Sequence, residues 1–168
     1  MGTLPIRLWP DPVLRAPCAP VTRFDAGLAR LAADMLETMY AAPGRGLAGP
    51  QVGEGLRIFV TDTGWKEGGP CPMVFVNPEV RRVSEARATR IEGCLSLPDA
   101  PAPVERPAEV DLVWQGLDGA WHEARFEGFA AACVQHELDH LNGVLILDHL
   151  PEDQRAALEA RLAGAGAG

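Results

Sequence analysis

Hydrophobic and polar positions change period several times along this chain, and each change marks an element. Asp25 can cap a helix in which Leu28, Leu31, Met35 and Met39 recur at three- and four-residue spacing until Pro43-Gly44 ends it. After the glycine-rich stretch 44–55, the apolar run 56–61 reads as a buried strand. Residues 73–76 read as a second, with Asn77-Pro78 as its stop signal. Residues 79–90 look extended. Residues 109–114 alternate cleanly, Asp118-Gly119 supplies a hairpin turn, and 120–126 return as the partner strand. Gly128 opens a further helix that Asn142-Gly143 closes with a pair suited to a left-handed cap. A last helix starts at Pro151-Glu152-Asp153, with Ala156, Leu158 and Leu162 as its few apolar positions. The pattern predicts an α+β fold of short antiparallel strands packed around a central helix. One domain over 1–163 and a flexible Gly/Ala tail over 164–168 complete the expectation.

Composition narrows this picture. A chain of 168 residues can bury about 70% of its unfolded surface in one core. The 15 prolines and 18 glycines favour many turns over a helical bundle. A net charge of -8 and the absence of any Lys/Arg run argue against a nucleic-acid ligand. The first residues carry no apolar signal region and position 6 is Ile, not the Ser or Thr of a myristoylation signal. No stretch approaches eighteen apolar residues, so no membrane partner is expected. The expectation is a cytoplasmic, monomeric protein whose Cys18, Cys71, Cys94 and Cys133 stay reduced. Abundant Ala, Gly and Arg suggest a bacterial, GC-rich genome.

The candidate chemistry lies in the helix after Gly128. His136-Glu137-Leu138-Asp139-His140 places two imidazoles one turn apart on one face, with a glutamate beside the first. That is half of a metal site with a general base. Phe129, Ala132 and Cys133 share the face with His136 and His140, and would form an apolar wall before the ligands as well as ordinary core. A catalytic site of this type takes a third protein ligand. Gly143 fits an extended H-E-x-x-H-x-x-G-x-x-H pattern, but its last place is Ile146. Eighteen residues separate Glu159 from His140, and it stands among arginines on a helix that looks exposed. Cys94 sits beside Gly93 in a turn, and Cys133 lies one turn before His136. On chemistry alone Cys94, Cys133 and Glu159 all stay open.

Three segments taken together go further. Gly44-Arg45-Gly46-Leu47-Ala48-Gly49-Pro50-Gln51, Glu92-Gly93-Cys94-Leu95-Ser96 and Gln135-His136-Glu137-Leu138-Asp139-His140, in that order and separation, resemble the three motifs of the peptide deformylases. The likeness extends from residues 10–15 to residues 142–145. It implies that Cys94, His136 and His140 bind one divalent metal, with Fe(II) the expected ion and zinc, nickel or cobalt compatible with the same donors. It implies a formylated nascent peptide as substrate, and formate release as the reaction. A divalent ion brings the pKa of water from about 15.7 toward ~7, with Glu137 taking the proton. The resemblance assigns oxyanion donors to the Gln51 amide and the Leu95 backbone N–H, and close backbone approach to Gly46.

Some positions depart from the commoner pattern. Gly49 replaces a frequent alanine. Arg45 and Arg90 fall near the methionine pocket where many members are apolar, which bears on the preferred side chain. Glu92 and Asp139 are expected to orient ligands or to pair with arginine. Some relatives dock on the ribosome through a long basic helix, whereas the last helix here is short and slightly acidic. Two other readings compete with the enzyme: a non-catalytic paralogue that binds formyl-peptides, and a metallopeptidase built on His136, His140 and Glu159.

Overall fold

The computed structural model describes residues 2–166. Helix α1 (Ala26–Ala41) begins where the Asp25 carboxylate accepts the Leu28 N–H at 3.0 Å. It is followed by strands β1 (Gly46–Ala48), β2 (Ile58–Thr61), β3 (Met73–Val83), β4 (Arg87–Cys94), β5 (Leu97–Pro107), β6 (Glu109–Gln115) and β7 (Trp121–Glu127). Helices α2 (Gly128–Leu141) and α3 (Glu152–Gly166) complete the chain. Five strands form an antiparallel sheet in the order β1-β2-β3-β6-β7, while β4 and β5 form a separate two-stranded hairpin. Among the described residues no helix is long and apolar enough to cross a membrane.

Strand alternation decides which side of the sheet each helix covers. Leu47, Ile58, Val60 and Val76 pack with Leu28, Ala32, Met35 and Met39 of α1. Their neighbours Ala48, Phe59 and Phe75 point the other way, into a cluster with Ala131, Val134, Leu138 and Leu141 of α2. The rings of Phe59 and Phe75 stack there with centroids 4.5 Å apart. A third cluster lies under the hairpin, where Leu97, Ala100, Ala102 and Val104 of β5 meet Leu145 to Leu147 and the Leu158 and Leu162 side chains of α3. Helix α2 is therefore apolar on the side facing the sheet, which leaves its histidine side toward the hairpin.

Three expectations need correction. Asn77-Pro78 does not stop β3. The strand runs through the pair, and its register with β6 shifts between Val76 and Glu79. Asn77 takes a positive φ of 50°, which its short side chain tolerates, and that side chain bonds both Val21 and Gln115. The bulge absorbs the missing proline donor. Strand β5 had no counterpart among the expected elements, and Pro98, Pro101, Pro103 and Pro107 all fall within it. A two-stranded hairpin has a free edge, where a missing N–H breaks no ladder. The tail expected from 164 is also partly helical. Helix α3 runs to Gly166, favoured by its many alanines, while residues 167 and 168 lie outside the described residues.

Candidate metal centre

The hairpin supplies one donor and α2 the other two. Cys94 ends β4, where a register shift after Glu92 and a tight turn through Leu95 and Ser96 present its thiol to the helix. His136 and His140 lie one turn apart on α2, edge to face with ring centroids 5.0 Å apart. The ligand atoms of Cys94, His136 and His140 all lie within 4.8 Å of one another, and Cys94 Sγ is 3.4 Å from His140 Nε2. The other candidate ligands are engaged elsewhere. Glu159 Oε1 accepts a hydrogen bond from Arg155 Nε at 3.0 Å on α3, and the Cys133 thiol donates to the Arg45 carbonyl.

The donors fit a divalent cation. Glu92 Oε1 lies 2.9 Å from His136 Nδ1, and its carboxyl is held down at about 2. Burial alone would raise that carboxyl; hydrogen bonds from Arg106 and His136 outweigh it. A carboxylate only accepts, so Nδ1 donates and the Nε2 lone pair is left for a metal. Arg106 grips Glu92 through two bonds of 2.7 and 2.9 Å and reaches Asp139 at 2.8 Å, and Asp139 also takes the His149 ring nitrogen at 2.9 Å. The chain Asp139–Arg106–Glu92–His136 locks one ligand's orientation. Asp139 therefore serves the arginine and a histidine outside the donor set.

Around these donors stand the other groups of the site. Glu137 is 3% exposed, and its Oε2 has no hydrogen-bond partner among the described residues. Burial pushes its carboxyl up to about 7, with the negative Glu92 adding to the rise against the opposing pull of His136 and Arg106. Gly46 accounts for the close packing, since a Cβ there would lie 3.0 Å from Glu137 Cγ and Cδ. Gln51 sits in the turn after β1, and its Oε1 accepts the Ala48 N–H at 3.0 Å. That anchor turns the NH2 end toward the hairpin, where it meets Ser96 Oγ at 3.1 Å and Cys94 Sγ at 3.6 Å.

A groove of about 990 Å³ opens onto this cluster. Leu95, Ala132, Cys133, Phe129, Arg45 and Arg90 line it, so the sequence-predicted pocket residues converge. Phe129 is partly exposed, with the Arg45 guanidinium 5.3 Å from its ring centroid. Arg106 and Ser96 escaped the sequence reading as individual residues. A charged side chain at an inward-facing position of β5 was the available signal for Arg106, and the proline-rich surroundings hid the strand.

A family model described as Polypeptide deformylase matches residues 3–156. The chain belongs to that family. The deformylase is a hydrolase of protein N-terminal processing, and its family is metal-dependent. It is 51% identical over 155 residues to the peptide deformylase of Mesorhizobium japonicum, covering 92% of this chain and 88% of that protein. It is 48% identical over 166 residues to that of Zymomonas mobilis, covering 96% and 94%. Among solved structures, a peptide deformylase from Legionella pneumophila superposes with a TM-score of 0.91 at 37% identity, covering 98% and 95%. One from Synechococcus elongatus, in complex with actinonin, does so at 0.89 and 37%, covering 97% and 88%.

Proposed function

We propose that the deformylase removes the formyl group from N-formylmethionine at the start of nascent polypeptides with one divalent metal held by Cys94, His136 and His140. The observation that carries this reading is the convergence of those three donors with Glu137 and the Gln51 amide at the base of one groove. Fe(II) is the ion proposed, since a thiolate and two imidazoles suit it as they suit zinc, nickel or cobalt. A metal there supplies Lewis acidity, which lets water ionise near neutral pH and polarises the formyl oxygen.

The side chains supply the rest. Glu137, with a carboxyl near 7, takes a proton from the attacking water and returns it to the departing amine, releasing formate. Charge developing on the formyl oxygen is met by Gln51 Nε2, whose direction the Ala48 N–H determines, and by the Leu95 N–H. The methionine side chain lies against Phe129, Ala132 and Cys133. Gly46 leaves room for Glu137. The enzyme acts as a single-domain monomer in the cytoplasm, on peptides as they emerge from the ribosome.

The test is formate release from a formyl-Met peptide by anaerobically prepared Fe(II) protein. Glu137→Ala should retain metal and lose about 10²- to 10⁴-fold in rate. Metal-loaded wild type that releases no formate would sink the enzyme reading. A Cys94→Ala protein that still holds its metal would instead support the ligand set with Glu159.

A further inference from the structure

Gln51 is held at both ends of its side-chain amide. It is 1% exposed, and its Oε1 accepts the Ala48 N–H at 3.0 Å. A backbone N–H only donates, so this contact identifies the amide oxygen and turns the NH2 group toward Ser96 and Cys94. The two contacts made there are unequal. Ser96 Oγ accepts at 3.1 Å, a full hydrogen bond, whereas Cys94 Sγ stands 3.6 Å away and sulfur accepts weakly. A planar amide nitrogen carries two hydrogens in diverging directions, so the one taken by Ser96 determines where the other points.

Ser96 is itself well anchored. It is fully buried in the turn between β4 and β5, and its carbonyl accepts the Trp9 N–H at 2.8 Å. Two residues earlier, the Arg7 N–H donates to the Gln51 carbonyl at 2.7 Å. One short N-terminal stretch therefore ties together the backbones of the two residues whose side chains meet. The last torsion of a glutamine side chain is soft. Without the serine oxygen the amide would hinge on the Ala48 bond alone, and a donor that stabilises developing charge must be aimed before the charge appears.

We propose that Ser96 is a positioning residue for the oxyanion donor: it takes one N–H of the Gln51 amide and so aims the other toward Cys94, His136 and His140, where the formyl oxygen is held. This rests on the proposed deformylation and gives a further residue a part in it. Ser96 acts through Gln51 and touches no reacting atom. Losing one neutral hydrogen bond of this kind should cost kcat about threefold to tenfold. KM should stay unchanged, because the amide is engaged in the transition state.

A double-mutant cycle of Ser96→Ala and Gln51→Ala tests it, read by formate release from a formyl-Met peptide. Circular dichroism and metal content confirm that each variant is folded and loaded. Alone, Ser96→Ala should lower kcat about threefold to tenfold. In the Gln51→Ala background it should alter kcat by no more than about twofold. A purely structural role would give the same loss in both backgrounds. That result, a loss confined to KM, or an unaltered kcat in the single variant overturns the proposal. Nitrogen-15 NMR of the zinc-loaded wild type adds a measurement that needs no active variant. The Gln51 side-chain amide, identified by its absence from Gln51→Ala, should show one proton shifted downfield by its bond to Ser96; a pair placed like those of exposed glutamines overturns the proposal. If the wild type yields no formate, the deformylase activity itself fails, whereas an active wild type with additive variants sinks the role of Ser96 alone.

Discussion

Glu92 and Glu67 both grip an arginine beside the same groove, yet their settings are opposite. The side chains of the Arg106–Glu92 pair are 6% and 9% exposed, whereas those of the Arg45–Glu67 pair are 24% and 63% exposed. The buried pair has lost its water and must be fully satisfied, which it is: Arg106 also reaches Asp139, and Glu92 also holds His136. In the outer pair the Glu67 carboxylate keeps most of its water, which screens the attraction. One groove thus has a base whose charges are held in low dielectric and a rim where an ion pair stands partly in water.

Four measurements probe that contrast, beginning where the loss is greatest. Gln51→Ala removes a donor whose direction is anchored at the base, and kcat should drop about 10²- to 10³-fold with metal retained. An effect confined to KM would mean that the amide only binds substrate. Glu92→Ala frees His136 and strands Arg106. Metal affinity, read by competition with a chelator, should fall about 10- to 100-fold. Unchanged affinity would show that packing alone orients His136.

Tyr40→Phe tests the support beneath the rim. Asp62 is fully buried and accepts hydrogen bonds from the Tyr40 hydroxyl at 2.6 Å and the Cys71 N–H at 2.9 Å, organising the loop that presents Glu67. Burial would raise the Asp62 carboxyl, but these bonds outweigh it and hold it below its ordinary 3.8. A carboxyl depressed in the folded state adds stability that is complete above its unfolded value and fades as pH falls through the folded one. Tyr40→Phe should cost about 1–2 kcal/mol in urea unfolding near pH 7. The gap from wild type should close below pH 3.8. A gap that stays constant with pH would remove Asp62 from the explanation. The smallest change is expected for Arg45→Gln, which should leave the melting temperature unaltered within error; a clear drop would place the outer pair with the buried one.

Much of this arrangement can be read along the chain. The spacing of Leu28, Met35 and Met39 marks α1, and the Asp118-Gly119 pair marks the β6–β7 turn, because both signals are local. His136, Glu137 and His140 declare themselves for the same reason, being adjacent turns of one helix. Cys94 was ambiguous on chemistry alone, since nothing in residues 92–96 says which helix their turn faces. Resemblance to the family singled it out, and the geometry now sets it with the histidines. Proline density concealed β5, and with it Arg106, whose partners lie 14 and 33 residues away. Asn77-Pro78 misled in the other direction, because a bulge lets a strand continue through a residue that cannot donate.

The sequence by itself determined the kinds of element, the two-histidine helix and the motif set of a deformylase, all of which depend on neighbours a few residues apart. Only the tertiary structure decided that the β4–β5 hairpin lies against α2 closely enough to bring the Cys94 thiol within 4.8 Å of the His136 and His140 ring nitrogens. It also decided that Ala48 aims Gln51, that Arg106 locks Glu92 onto His136, and that Arg45 is spent on Glu67 while Arg90 is not. Those outcomes depend on hydrogen bonds and burial between distant segments, where low dielectric makes each charge answer to whatever the fold brings beside it.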